Sequence, residues 1–354
     1  HVHDTNEGDD VSFRYYVWQL GYATFPWTGL LPAALIRWLR LRERTTLPDA
    51  ASEEATSEET ASASSAASAV SAASEEARES DASIFLAMWF LFAFALFSLM
   101  LTKFHHYILP AIPPAAMLTG VLLDDAARRV GERRIGRAAD AERLLLGAAA
   151  VAGAILVLMV GRDLAMAREG QPSQARLLHL FTYNYRRPWP TTLDFGTALW
   201  AFTAAAALLT LLLAAARIRR ATAMALAVLA AVFTAWLLDV YLVRTSPHWG
   251  QRETILAYVR ADREEPGPLV AYQMNWKGEN FYMGNRLPVF VSSGKKFQDY
   301  INEQKQKGVK TFYFATEHSR VRSLSNELGS PRVFDHLTTP ELNNKFLVVR
   351  ARFE

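Results

Sequence analysis

Uncharged apolar segments recur along this chain and are separated by shorter polar ones. Residues 84–101 read IFLAMWFLFAFALFSLML, and residues 195–216 read FGTALWAFTAAAALLTLLLAAA. A helix of about 20 apolar residues is long enough to cross the hydrocarbon core of a bilayer. Similar segments lie at about 17–36, 105–123, 144–161 and 221–243. The pattern predicts a polytopic α-helical membrane protein with about six spans, in a transmembrane region covering 17–243.

The pattern changes after residue 243 to that of a domain of about 110 residues, which is large enough to bury its own core. Helical periodicity occurs at 251–263, 295–307 and 319–328. Strand-like segments occur at 269–274, 281–291, 310–315 and 346–353. Helices that alternate with strands are typical of an α/β domain, so we predict one over 244–354.

Arginines predict how the chain is oriented. The connections 37–44, 124–143 and 217–220 together hold thirteen arginines, which places them in the cytoplasm by the positive-inside rule. The loop 162–192, on the opposite side, also holds five arginines, but the three connections hold more. Alternation then predicts an inner (cytoplasmic) membrane protein whose segment 1–16 and α/β domain are extracytoplasmic. Because the net charge of +3 comes from these loops, we expect membrane lipids and no nucleic acid as partners.

Two compositional features limit the chemistry. Residues 49–81 are an Ala/Ser/Glu tract without an aromatic residue, too polar to offset the entropy of ordering, which predicts a disordered cytoplasmic linker or at most a transient helix. The chain has no cysteine, which excludes disulfides, thiolate metal sites and a cysteine nucleophile.

The segment 103–117, KFHHYILPAIPPAAM, places polar groups at the start of a predicted span. By the predicted orientation this helix begins at the outer surface, where its free N–H groups favour an anion. The candidate donors to phosphate oxygens are Lys103, His105, His106 and Tyr107. Prolines at 110, 113 and 114 remove helical hydrogen bonds, and we expect a kinked or widened helix there. The alternative is a snorkelling lysine within an ordinary interfacial aromatic belt.

Further candidates lie in the segments predicted to be extracytoplasmic. Arg186 and Arg187 are flanked by aromatic residues, so they either clamp a phosphate or anchor the chain at the interface. His1 and His3 lie among carboxylates, which predicts either a divalent metal site or a solvated loop. Asp239 is an acid near the end of the last predicted span, which makes it a functional candidate unless it reaches water. A polar and aromatic patch at 276–286 is a candidate surface for a sugar or an acceptor.

Three segments resemble the lipid-linked sugar transferases of the protein O-mannosyltransferase and aminoarabinose (lipid A) transferase type. The K-x-x-x-Y-x-L-P-x-x-P motif of that family is matched by Lys103, Tyr107, Leu109, Pro110 and Pro113. The segment 13–31, FRYYVWQLGYATFPWTGLL, looks like the paired tyrosines that enter a span through a Pro-Trp step. The segment 275–290, NWKGENFYMGNRLPVF, is similar to a strand pair in the extracytoplasmic domain of these enzymes.

The resemblance implies a GT-C-like fold and a glycosyltransferase that moves a sugar from a polyprenyl-phosphate donor to a lipid, glycan or protein acceptor. It implies a phosphate-binding role for Lys103 and Tyr107, and a metal-binding histidine in some relatives. The catalytic acid of the family lies in a first extracytoplasmic loop that precedes His1, so we expect this chain to be a C-terminal portion. The alternative is a non-catalytic membrane module, such as a transporter half or a sensor or scaffold with an extracytoplasmic domain.

Overall fold

The computed structural model describes residues 14–36, 63–100, 103–128, 137–166, 174–182, 189–190, 192–292, 294–329 and 331–353. The chain divides into two compact units. The first unit contains most of the chain before Trp236, and the second contains Trp236 and the residues that follow it, together with the loop at 189–194.

The regular secondary structure of the first unit, in its described residues, consists of helices. Its elements are α1 (Arg14–Ala23), α2 (Ala63–Leu99), a 3-10 helix (His105–Ala111), α3 (Ile112–Arg128), α4 (Arg137–Ala165), α5 (Arg176–His179), α6 (Gly196–Leu212) and α7 (Arg219–Trp236).

Four helical segments of the described residues are long and apolar enough to cross a membrane. They are Asp81–Leu99, His105–Ala127, Leu144–Ala165 and Arg219–Trp249. Each coincides with one of the six segments predicted from the sequence, so the chain is a membrane protein by the length and composition of its helices. The predicted span at 195–216 forms the shorter apolar helix α6. The total of six spans stays a prediction.

The remaining predicted span, at 17–36, is interrupted. Helix α1 ends at Ala23, and a turn containing Pro26 separates it from helical residues 31–36. Proline disfavours helical geometry in the residue before it, which explains why the helix stops here. Two threonines hold the turn: Thr24 Oγ1 donates to Leu20 O at 2.8 Å, and Thr28 Oγ1 donates to Gly21 O at 2.7 Å.

The three prolines of the segment 103–117 tighten the helix instead of widening it. Pro110 lies inside the 3-10 helix, and Pro113 and Pro114 lie in the first turn of α3. The first N–H groups of an α-helix have no acceptor within the helix, so prolines there cost no hydrogen bond. The expected kink therefore takes the form of a change from 3-10 to α geometry at Ile112.

Helix α2 begins at Ala63, inside the tract for which composition predicts a disordered linker. Alanine is the strongest helix former, and a helix that already exists can lengthen without a new nucleus. The apolar segment that follows supplies that helix, and the tract continues it as helix from Ala63 onward. Whether the tract is disordered or only transiently helical stays a prediction. Residues 49–62 lie outside the described residues.

Small residues let α4 and α6 pack closely. A Cβ atom placed on Gly161 would lie 2.0 Å from Thr203 Oγ1. Thr203 is fully buried, and its hydroxyl donates to Leu199 O at 2.7 Å. Close approach at glycine and threonine is typical of helix pairs in membranes, where van der Waals contact and not the hydrophobic effect drives association.

The second unit begins with the end of the last apolar helix and continues as an α/β domain. Its elements are a π-helical turn (Leu237–Leu242), α8 (Val243–Trp249), α9 (Arg252–Glu264), β1 (Leu269–Tyr272), α10 (Gly278–Tyr282), β2 (Val289–Phe290), α11 (Lys295–Gln306), β3 (Thr311–Glu317), a second 3-10 helix (His318–Arg320), α12 (Val321–Leu328), β4 (Val333–His336) and β5 (Phe346–Arg352). The candidate Asp239 lies in the π-helical turn and is exposed.

Five strands form one mixed sheet in the order β2-β1-β3-β5-β4. Strands β2, β1 and β3 run parallel, and β5 and β4 are antiparallel to their neighbours. Val270 pairs with Phe314, and Phe314 pairs with Val349, which fixes the register across the centre of the sheet.

Alternation along β3 divides the core of the domain into two layers. Phe312 and Phe314 face a layer that includes residues of α11 and α12, such as Phe297 and Leu324. Tyr313 and its neighbours on the opposite face pack against α9 through residues such as Ile255. Since successive side chains of a strand point to opposite faces, a strand covered on both faces reads as a continuous apolar segment.

Two parts of the sheet differ from the sequence prediction. The predicted strand at 281–291 is wrong, because its first residues form α10 and only Val289–Phe290 form a strand. Gly284 and Asn285 have positive φ values of 60° and 57°, a conformation that breaks an extended segment. Strand β4 was not predicted at all. It is an edge strand with two exposed residues, so its pattern resembles a loop.

An ionic network joins α9 to the sheet. Glu265 follows α9 and accepts from Arg352 Nε at 2.7 Å, and its other carboxylate oxygen lies 3.3 Å from Arg350 Nη1. Thr311 Oγ1 also donates to it. The hydrogen bonds from Arg352 and Thr311 lower the pKa of Glu265 from 4.5 to about 2.

Candidate functional site

Lys103 is buried at the end of α2, where its ammonium group satisfies backbone carbonyls. The side chain is 4% exposed, and Nζ donates to Ser98 O and Met100 O, both at 2.7 Å. The last carbonyls of a helix have no partner within the helix and carry the negative end of its dipole. Lys103 therefore caps α2, a structural role that the sequence did not predict.

Helix α1 lies against this segment. Tyr16 is fully buried, its hydroxyl donates to Phe104 O at 3.2 Å, and its ring centre is 5.7 Å from Lys103 Nζ. A cation at that distance from an aromatic face is attracted by the ring quadrupole. The paired tyrosines of α1 therefore help to hold the lysine, which brings together two of the three segments that carry the family resemblance.

The two adjacent histidines have different surroundings. His105 is buried, with its ring 5.2 Å from Tyr15 and 5.4 Å from His179. His106 is half-buried and packs against the rings of Phe104 and Tyr107. The four polar residues predicted to act together therefore form two pairs. Lys103 and His105 contact α1, whereas His106 and Tyr107 belong to an aromatic group.

A second set of polar side chains lies on α1, α4 and α5. Asp163, in the last turn of α4, accepts from the Tyr22 hydroxyl and lies 3.1 Å from Arg176 Nε. The Arg176 guanidinium carbon is 5.0 Å from the centre of the Tyr22 ring. The side chains of Asp163 and Arg176 are 28% and 31% exposed, so the pair is only partly screened by solvent.

Helix α5 connects the two sets. Arg176 is its first residue and His179 its last, so the partner of Asp163 and the partner of His105 are one helical turn apart. We call the combined set the boundary cluster: Tyr15, Tyr16, Tyr22, Lys103, His105, Asp163, Arg176 and His179. It holds two fixed cations and one carboxylate, so it carries surplus positive charge even when both imidazoles are neutral.

The boundary cluster lies where three apolar helices end or begin. Lys103 follows the span Asp81–Leu99, His105 begins the span His105–Ala127, and Asp163 is near the end of the span Leu144–Ala165. Helix ends of this kind mark the edge of the hydrocarbon layer. The charged side chains of the cluster therefore lie beside helix ends of this kind.

One buried amide in α1 has an unused acceptor. Gln19 is 4% exposed, and its Oε1 has no hydrogen-bond partner among the described residues. It lies one turn from Tyr15, Tyr16 and Tyr22 on the same helix. A buried carbonyl oxygen without a donor costs about 1–3 kcal/mol, which a ligand hydroxyl or a bound water can recover.

Three residues of the boundary cluster are not among the candidates predicted from the sequence: Asp163, Arg176 and His179. Asp163 is an acid in the last turn of an apolar helix, the same signal that singled out Asp239, and it was overlooked because it lies beside charged loop residues. In the sequence, Arg176 is one of five arginines in the loop 162–192, and no pattern distinguishes it from the others. Nothing in the sequence pairs His179 with His105, because their contact depends on how α5 packs.

Four of the sequence candidates lie outside the described residues. They are His1, His3, Arg186 and Arg187. Within the described part of the chain, no group of three or more histidine or carboxylate side chains could hold a metal ion. The phosphate role of the arginines and the divalent metal site of the histidines both stay predictions.

Comparison of the chain with family models, curated proteins and solved structures finds no match. The likeness to lipid-linked sugar transferases therefore stands on the three sequence segments alone.

Proposed function

We propose that this chain is part of a membrane glycosyltransferase that transfers a sugar from a polyprenyl-phosphate donor to a lipid, glycan or protein acceptor. In this proposal the reaction takes place at the extracytoplasmic face of the inner membrane, and the boundary cluster holds the donor phosphate. The observation that carries the proposal is that Lys103 and Arg176 both lie against tyrosine rings of α1, beside the ends of the apolar helices. A polyprenyl chain would lie in the hydrocarbon layer and its phosphate at this depth.

The cations of the cluster keep hydrogen-bond capacity for an anion. An ammonium has three donors, and Lys103 uses two of them on backbone carbonyls. The guanidinium of Arg176 has five donors in a planar fork that matches phosphate oxygens. Its Nε lies 3.1 Å from Asp163 Oδ2 but has no hydrogen-bond partner among the described residues. Away from bulk water, each remaining donor interacts more strongly with a phosphate than it would in solution.

Asp163 and Tyr22 act as positioning residues in this proposal. The ion pair and the aromatic face fix the guanidinium of Arg176 before a donor arrives. A group that is already oriented needs no reorganisation when charge develops on the leaving phosphate, which is how preorganised donors lower a barrier. Gln19 Oε1 is placed to accept from a hydroxyl of the donor.

The transfer itself needs no covalent enzyme intermediate. The bond between the anomeric carbon of the sugar and the phosphate oxygen breaks, and its electron pair remains on the phosphate. The acceptor hydroxyl or amine forms the new bond to that carbon and gives its proton to a carboxylate base. The family resemblance implies such a carboxylate base, and a divalent ion bound by His1 and His3 stays part of the prediction.

Replacement of Arg176 in the complete protein tests this proposal. We expect Arg176→Gln to lower transfer of labelled sugar from a polyprenyl-phosphate donor by about 10- to 100-fold, because one charge-assisted hydrogen bond contributes about 1.5–3 kcal/mol. Arg162→Gln is the matched control: Arg162 is exposed in the same turn of α4 as Asp163, and its Nε contacts Met166 Sδ. Equal transfer by both folded variants would contradict the assignment.

One observation favours the alternative of a non-catalytic membrane module. Both cations of the cluster already have structural partners: Lys103 donates to carbonyls at the end of α2, and Arg176 forms an ion pair with Asp163. If these contacts are their whole role, the complete, folded protein will neither bind nor use a polyprenyl-phosphate donor.

A further inference from the structure

The last apolar helix runs almost directly into the α/β domain. The span Arg219–Trp249 ends with α8, and α9 begins at Arg252, so only Gly250 and Gln251 lie between them. The three Cα–Cα steps from Trp249 to Arg252 extend over at most about 11 Å. The beginning of α9 therefore stays within that distance of the end of the membrane helix.

The length of the helix places this junction close to the lipid headgroups. Residues 221–242 are enough to cross the hydrocarbon core, so α8 rises about 10 Å beyond it. The headgroup layer on each side is roughly 5–8 Å thick. Trp249 and Trp189 lie here with their ring centres 5.6 Å apart, as in the aromatic belts of membrane proteins.

Contacts within the second unit show which end of the domain is next to this junction. Asn343 Nδ2 donates to Pro247 O at 2.8 Å and to Gly250 O at 2.6 Å. A Cβ atom on Gly278 would lie 2.3 Å from Gln251 Oε1, so the start of α10 is packed against the junction. The loop around Asn343 and helix α10 are therefore the parts of the domain nearest the membrane helix.

Those two parts carry large apolar side chains on the surface. Phe281 is 77% exposed, Tyr282 is 45% exposed and Leu342 is 38% exposed. The rings of Phe281 and Tyr282 are in contact, with their centres 5.2 Å apart. We call these three residues the apolar base. Phe281 lies within one helical turn of Gly278, so it cannot be far from the junction.

Basic side chains flank the apolar base. Lys277 immediately precedes α10, Arg286 follows it by a short turn, and both are exposed. Aromatic rings next to lysine and arginine suit the interface, because the rings enter the boundary of the acyl chains while the cations meet anionic headgroups.

We propose that the apolar base inserts into the headgroup region of the bilayer and holds the α/β domain on the membrane surface. The connection through Gly250 and Gln251 is short, so whatever covers Phe281 must lie beside the end of the membrane helix. The bilayer is present at that place, whereas a second copy or a protein partner would have to enter it. The proposal requires only that Arg219–Trp249 spans the membrane and does not depend on the enzymatic activity.

The absence of cysteine allows a direct test in the whole chain. Phe281→Cys and, as control, Glu264→Cys are labelled with an environment-sensitive fluorophore and reconstituted in vesicles of phosphatidylcholine and phosphatidylglycerol. Glu264 is exposed at the last residue of α9, about 18 Å from Arg252 along the helix. Because both side chains are exposed, neither substitution disturbs the core, and unchanged thermal unfolding will verify this.

We expect a nitroxide carried on lipid near the headgroups to quench the label at position 281 several-fold more than the label at 264, with a blue-shifted emission. Aqueous iodide should quench the two labels in the opposite order. Equal accessibility to both quenchers at the two positions would overturn the proposal. A label at 281 that is shielded from both the lipid nitroxide and iodide would overturn the proposal in favour of a protein contact. The same measurement on Leu342→Cys would then show whether that contact covers the whole apolar base.

Discussion

Replacement of Lys103 separates its structural role from a role in binding the donor. Lys103→Met keeps the length and apolar stem of the side chain but removes both hydrogen bonds to Ser98 O and Met100 O. Each bond from a charged donor contributes about 1.5–3 kcal/mol, and the lost interaction with the helix dipole adds about 0.3–1 kcal/mol. Relief of the buried ammonium from its desolvation offsets part of this loss.

The net effect that we expect is a loss of about 2–4 kcal/mol, which lowers the midpoint of thermal unfolding of this 354-residue chain by roughly 3–5 °C. The assay is thermal unfolding of purified protein in detergent, with Lys103→Arg as the control that retains a cation. The Arg variant should lose less, because a guanidinium can still donate to at least one carbonyl. A Met variant with the unfolding midpoint of the wild type would refute the capping role. If that stable variant also failed to bind the donor, Lys103 would be a phosphate ligand alone.

Two further predictions concern packing and pH. Gly161→Ala should destabilise the protein by about 1–3 kcal/mol, because the added Cβ would overlap Thr203. Gly147→Ala on the same helix should stabilise it by about 0.5–1 kcal/mol, because no atom lies within 4 Å of the added Cβ. Equal midpoints of thermal unfolding for the two variants would contradict this prediction. The lowered pKa of Glu265 means that its stabilisation is complete above pH 4.5 and is lost as the pH falls from 4.5 to about 2. Because the side chain is 24% exposed, we expect this loss to be roughly 1–2 kcal/mol. Glu265→Gln should flatten the pH dependence of the unfolding midpoint in that range, and an unchanged slope would show that Glu265 is not responsible.

The positions of the long helices could be predicted because the bilayer sets a simple length requirement. Four apolar segments of the sequence coincide with helices of sufficient length, and the core strands β1, β3 and β5 were recognisable as continuous apolar segments. The interruption at Pro26 could not be predicted from hydropathy alone, because the residues on both sides of the turn are equally apolar. Helix α10 was misjudged since its aromatic residues are exposed on the surface instead of buried in a strand.

The candidate site was predictable only in part. The local segment 103–107 identified Lys103 and His105, but their partners are far away in the sequence: Tyr16 and Tyr15 on α1, and His179 on α5. Likewise, Asp163 and Arg176 lie close to each other, and both contact Tyr22, only because α4, α5 and α1 pack together. Contacts of this kind depend on tertiary packing, which no residue pattern in a single sequence specifies.

Binding of a polyprenyl phosphate to this chain tests the central proposal most directly. The affinity of the purified protein in lipid nanodiscs is measured for a labelled polyprenyl phosphate, with the corresponding polyprenol as the ligand that lacks the charge. We expect the phosphate to bind and the polyprenol to bind much more weakly, and we expect Arg176→Gln, but not Arg162→Gln, to remove most of this difference. Equal binding of the two lipids by the wild-type protein would contradict a phosphate site in the boundary cluster.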